Sequence, residues 1–192
     1  MSEPSVRASL VKMVLRRATE VWPGDAAAIH AALGPDALAR LDATPGYEWV
    51  PLAFEVAIVH AVHALHGDEG ARRLGREIGL AGPQHPLLRP LVMATLGMLG
   101  RRPSALLEVA VSAWRVATRD AGGAARVLPS HGGAALELLN LPEVLRERPF
   151  LLRIGGATEA LFELAGLRTA VEVEWEEGAS SAVLRLSWSS GG

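Results

Sequence analysis

The chain has 192 residues, 49% of them hydrophobic and 21% charged, which is enough apolar material for one domain with its own core and excludes a disordered chain. A net charge of −2 supplies no basic field for nucleic acid or an anionic membrane surface. Cysteine is absent, which removes disulfides, thiolate catalysis, iron–sulfur ligation and cysteine-based zinc sites.

The opening MSEPSVRASLVKMVLRR lacks the charged-then-apolar order of a signal peptide, and no apolar run reaches bilayer length, so a cytoplasmic protein is expected. Ser5 or Ser9 is placed to cap a first helix running to about Val21. Val6, Leu10, Met13 and Val14 trace its apolar stripe, and Lys12, Arg16 and Arg17 a solvated basic side. Trp22-Pro23-Gly24 breaks it. Two short helices follow at 25–33 and 36–43, parted by Gly34-Pro35, and Thr44-Pro45-Gly46 makes a turn. Tyr47-Glu48-Trp49-Val50-Pro51 leads into a helix from Leu52 to about Leu65 that is apolar around most of its circumference, the mark of a central helix. Gly67 ends it, and Asp68 is placed to cap a more polar, arginine-rich helix over 69–78. After a loop at 79–86 comes an apolar helix over 87–99, with Pro90 in its first turn, and then an amphipathic one over 103–120.

From Gly122 the pattern changes. Apolar runs at 125–128 and 134–141 flank Pro129-Ser130-His131-Gly132-Gly133, a hairpin signature. A helix entered at Gly156 carries Ala157, Leu161, Leu164 and Ala165 on one face and stops at Gly166. Then Val171, Val173 and Trp175 alternate with Glu172, Glu174 and Glu176, and Leu184, Leu186 and Trp188 alternate with Val183, Arg185 and Ser187. That is the period of strands with one buried face. The expected fold class is α+β: an N-terminal helical bundle packed on a C-terminal four-stranded antiparallel sheet of β-β-α-β-β order. A single domain over 1–192 is expected, with a helical part at 1–121 and the β-β-α-β-β part at 122–192.

This order, ending in Gly156, Phe162, Gly166, Val171 and Val173, resembles the ligand-binding fold of 4-vinyl-reductase domains, TRAPP core subunits and, more remotely, heme nitric-oxide-binding domains. Trp49-Val50-Pro51, Gly67-Asp68, Gly75, Trp114 and Gly122 also look like a family of similar length from myxobacteria. The resemblance implies a non-catalytic role, either binding an apolar small molecule or dimerising and presenting a surface to a partner. Two departures matter. The 4-vinyl-reductase type carries cysteines near the final hairpin. The heme type carries a histidine ligand and a Tyr-x-Ser-x-Arg motif, whereas Tyr47 is the one tyrosine here. Heme is therefore set aside and no cofactor is expected.

His60, His63 and His66 stand three apart on the central helix, where neighbours could share a metal. Glu55 and Asp68 are the nearest acids in sequence, and neither has a tight spacing to a histidine pair. Packing or hydrogen-bonded histidines are the plainer reading. Ser130-His131-Gly132 reads as a turn, since no G-x-S-x-G elbow exists. Arg101 and Arg102, just before the helix at Pro103, could hold an anion with that helix's N-terminus. Glu172, Glu174, Glu176 and Glu177 form a wet row that discourages edge pairing. Phe54, Ile58, Met93, Met98, Trp114 and Phe162 are the expected lining of an apolar cavity. The leading expectation is a non-enzymatic sensor or adaptor for a hydrophobic small molecule or another cytoplasmic protein, acting as a homodimer. The alternative is a metal-dependent enzyme built on His60, His63 and His66.

Overall fold

A glycine has no Cβ, so two helix backbones can touch where glycines face each other, and the architecture of this chain turns on such a contact. The structure, a computed structural model, describes residues 3–98, 103–122, 125–130 and 133–189. In chain order it runs β1 (Ser5–Arg7), α1 (Ala8–Val21), α2 (Ala26–Leu33), α3 (Pro35–Ala43), β2 (Trp49–Pro51), α4 (Ala53–Ala81), α5 (Arg89–Met98) and α6 (Pro103–Ala117). Then come β3 (Thr118–Arg119), β4 (Ala125–Ser130), β5 (Gly133–Leu138), α7 (Arg148–Leu164), β6 (Arg168–Glu174) and β7 (Ala182–Ser189). The class is the expected one: a helical bundle packed on a four-stranded antiparallel sheet of β-β-α-β-β order, with strands arranged β4-β5-β7-β6.

The sheet follows from its alternation. Leu136, Leu184, Leu186 and Val171 are buried on one face, whereas Glu172, Glu174 and Arg185 are exposed on the other. Arg185 pairs with Glu174, diagonal to the Glu172 that it faces in register. Against the buried face lies α7. Phe162 stacks on Trp188 at 5.7 Å, and a Cβ on Gly155 would meet Val171 and Val173 at 3.5 Å.

The other side of α7 meets α4. A Cβ on Gly156 would collide with the Arg72 carbonyl, and one on Gly75 with the Arg153 carbonyl. Arg72 and Arg76 reach over this crossing to Glu159 (2.5 Å) and Glu163 (2.7 Å). The glycine-entered helix of the sequence reading is thus corrected. It begins at Arg148, and Gly155 and Gly156 lie inside it, because they serve close approach to the sheet on one side and to α4 on the other. The two predicted mid-chain helices are both present as the two segments of α4, and they break at Gly67 as expected: its φ 64° and ψ −162° are a conformation open in practice to glycine alone. Asp68 binds His63 and Arg148.

The N-terminus differs too. Val6 belongs to β1, which pairs with β2 and β3 in a three-stranded sheet of order β2-β1-β3. No serine caps α1; the carbonyls of Glu48 and Gly46 take the amides of Ala8 and Ser9 at 2.9 and 3.0 Å. Strands of three residues carry too little period to be read locally. Among the described residues no helix is long and apolar enough to cross a membrane.

Candidate functional site

A cavity of about 160 Å³ opens between α1, α5, α6, the C-terminal half of α4 and α7. It exists because facing positions carry small residues. Gly79 and Gly82 on the α4 side, Ala110, Ala113 and Ala117 on α6 and Ala157 on α7 leave space that Leu10, Met13, Val14, Ile78 and Val109 enclose. Trp114 closes one wall and meets Phe150 edge-on at 6.3 Å.

Two charged side chains interrupt the apolar wall. Glu55 enters from the first turn of α4 and Arg153 from α7, and they form an ion pair. Their side chains are 3% and 13% exposed, and a charge so placed is tolerated only when paired. Burial pushes the Arg153 guanidinium down to about 10, so it remains a cation at neutral pH. It also lies 5.1 Å over the Phe150 ring, while its Nε, enclosed on all sides, and Glu55 Oε1 make no hydrogen bond of regular geometry. The wall hydroxyls are already engaged: Thr158 donates to the Ile154 carbonyl at 2.9 Å and Thr118 to that of Trp114 at 2.8 Å.

Of the aromatic and aliphatic residues expected to line a cavity, Trp114 does so. Ile58 and Phe162 are fully buried in the core outside that wall, and Phe54 is half-buried, with the Arg40 guanidinium 5.8 Å from its ring. Met93 is 52% exposed. The side chain of Met98 lies outside those described, as do Arg101, Arg102 and the His131-Gly132 step. Glu55 and Arg153 were missed as a pair. The available signal was a lone acid on the otherwise greasy helix and a lone arginine in Phe-Leu-Leu-Arg-Ile-Gly-Gly, each of which needed a partner.

The histidines of α4 do not converge. His60 Nε2 meets Glu147 at 2.6 Å, His63 meets Asp68 at 3.0 Å, and His66 meets Asp25 at 3.0 Å while stacking on Trp22 at 4.7 Å. Arg148, and then His63, hold the Asp68 carboxyl below its usual range by hydrogen bonding. Among the described residues no group of three His, Cys, Asp or Glu side chains is placed to hold a metal. His85 is buried in the turn before α5. Its Nδ1 accepts from the Leu87 amide at 3.3 Å, and burial pushes the imidazole down, against hydrogen bonding to the Ser9 backbone.

No protein-family model matches this chain, and no curated protein does. Solved structures do. A variant of the T. Tengcongensis H-NOX domain aligns at TM-score 0.62 and 15% identity over 96% of this chain and 98% of that one. An oxygen-binding H-NOX domain related to soluble guanylate cyclases aligns at 0.60 and 16%, over 96% and 95%. A structure described as modulating heme redox potential through protein-induced porphyrin distortion aligns at 0.62 and 15%, over 97% and 96%.

These alignments correct the reading that set heme aside. It rested on a missing Tyr-x-Ser-x-Arg motif, yet nearly the whole chain follows the path of domains described by their oxygen and their heme, so the missing motif is no ground for that expectation. Heme iron takes a histidine, thiolate, phenolate or thioether ligand. The described cavity wall offers the Met13 thioether and no imidazole or phenolate. It does not supply the strong ligand, so no iron-binding role is carried onto these residues. The chain is built on the H-NOX fold, the branch that the sequence resemblance had ranked as more remote.

Proposed function

We propose that this chain is a non-enzymatic sensor domain that holds a small, largely apolar guest in the cavity between α1, α4, α6 and α7. The observation that carries the reading is the cavity itself: about 160 Å³ stays open beside a buried ion pair, where packing alone would favour collapse. The neighbours support a sensing role, since one is an oxygen-bound domain and another is described by its activation mechanism. A guest here would touch helices of both parts of the chain at once, and so would favour whichever arrangement fits it better. Action as one domain and as a homodimer, or as an adaptor to a protein partner, belongs to the same proposal, as does the likeness to TRAPP subunits and the myxobacterial family.

Native mass spectrometry of protein taken directly from cells tests the reading, together with thermal unfolding in the presence of small aromatic probes and of hemin. Added mass, or a rise in melting temperature with probe concentration, is the expected outcome. Protein that carries no added mass and melts identically in every mixture would remove the proposal.

A further inference from the structure

The four-stranded sheet ends at β6, which bonds to β7 on one side and, among the described residues, has no strand on the other. In an antiparallel strand successive residues turn both backbone groups toward the neighbour and then both away. Val171 turns its two groups away from β7, and neither is left open. Its amide donates to Glu159 Oε1 at 3.1 Å, and its carbonyl accepts from Arg72 Nη1 at 2.8 Å. The same nitrogen and oxygen bond each other at 2.5 Å. One donor and one acceptor, joined by opposite charge, thus stand where the amide and carbonyl of a facing residue would stand in a further strand. We propose that the outer edge of β6 is a surface on which two copies of this chain pair strand to strand, and that Arg72 and Glu159 form the latch that shuts it. The proposal is independent of what the cavity holds.

The occupant follows from the residues of β6, Arg168-Thr169-Ala170-Val171-Glu172-Val173-Glu174. Val171 lies at the middle. An antiparallel copy centred there sets Val171 against its own copy and Thr169 against Val173 on the face toward α7. On the wet face it sets Ala170 against Glu172 and Arg168 against Glu174, each twice by the two-fold symmetry. Arg168, Glu172 and Glu174 are all exposed on that face. Opposite charges directly across a strand pair support it, and like charges oppose it. Centring the pair on Glu172 instead would set that carboxylate against its own copy. The favoured register therefore puts the symmetry axis at Val171, the residue that the latch holds.

Analytical ultracentrifugation of the full chain tests this with two ways of opening the latch. An Arg72→Met, Glu159→Leu double variant removes both of its charges together. A Glu159→Asp variant shortens the acid so that it no longer reaches the Val171 amide, and it carries the same reading should the double variant fail to fold. Each is expected to reach at least twice the parent's mass as concentration rises. Arg168→Glu, added to either, is expected to return the mass to that of the parent, because it sets a like charge against Glu174. In the parent itself, hydrogen exchange at the Val171 amide is expected to be roughly tenfold slower than at Thr169 and Val173, whose amides also point outward. Variants that keep the parent's mass at every concentration would overturn the pairing surface. Association indifferent to Arg168→Glu would overturn the self-paired β6 strand as the occupant. Exchange at Val171 as fast as at Thr169 and Val173 would overturn the latch.

Discussion

At the scale of single residues the sharpest test is the Glu55–Arg153 pair. Removing one partner leaves the other charge buried and alone, so Arg153→Met is expected to cost about 3–5 kcal/mol. Adding Glu55→Gln should recover part of that loss, because the orphaned charge goes with it. Urea unfolding of the single and double variants checks the non-additivity; losses that simply add would mean that the two side chains act independently. His85 supplies a pH dependence. Its folded-state value is pushed below 6.5 by burial, with Arg16 acting in the same direction. Below about 6.5 the unfolded chain therefore takes up a proton that the folded chain resists. The sign follows: this contribution to stability is present above that pH and falls away as pH drops below it. A His85→Gln variant should show a shallower acid-side loss than the parent when stability is plotted against pH. Identical slopes would mean that the imidazole titrates normally.

Among elements, the crossing of α4 and α7 decides most. Replacing Gly156 by alanine gains roughly 1 kcal/mol of helix propensity, but the new methyl meets the Arg72 carbonyl, part of a backbone held by its own helix. Overpacking of that kind costs about 1–3 kcal/mol, so Gly156→Ala is expected to lower stability despite its better propensity. A stabilised variant would show that the two helices are not in backbone contact. This crossing also explains why the sequence misplaced the start of α7. A glycine that ends a helix and a glycine that lets another helix approach look alike in one dimension, and only the partner helix distinguishes them. The hairpin of β6 and β7 was legible for the opposite reason. Its alternation records one buried and one wet face whichever element supplies the burial.

For the molecule as a whole, the cavity is what joins the helical part to α7 and the sheet. Ala113→Leu should fill it from α6. The expected outcome is loss of the rise in melting temperature with small aromatic probes, with an unchanged or raised melting temperature in their absence, since the added methyl groups occupy space that is already open. A marked drop in melting temperature would mean that the space at Ala113 is smaller than drawn. Little of this site could be read in advance. Trp114 was named, but Phe54, Ile58 and Phe162 went into ordinary packing and Met93 faces out, because a greasy residue on a helix does not say which neighbour it will face. The void is bounded by residues spread from Val6 to Leu161 and is defined by what is small across from what. The three histidines on α4 made a visible motif, yet each took its own carboxylate from a different part of the chain.

By itself, then, the sequence determined the class: helices first, then an antiparallel β-β-α-β-β sheet, because hydrophobic period is a local property that each segment carries with it. Tertiary structure alone decided where the two adjacent glycines of α7 lie, which charges meet inside, and where the interior stays open. Those depend on distances between residues far apart in the chain, such as Glu55 and Arg153, that no local spacing encodes.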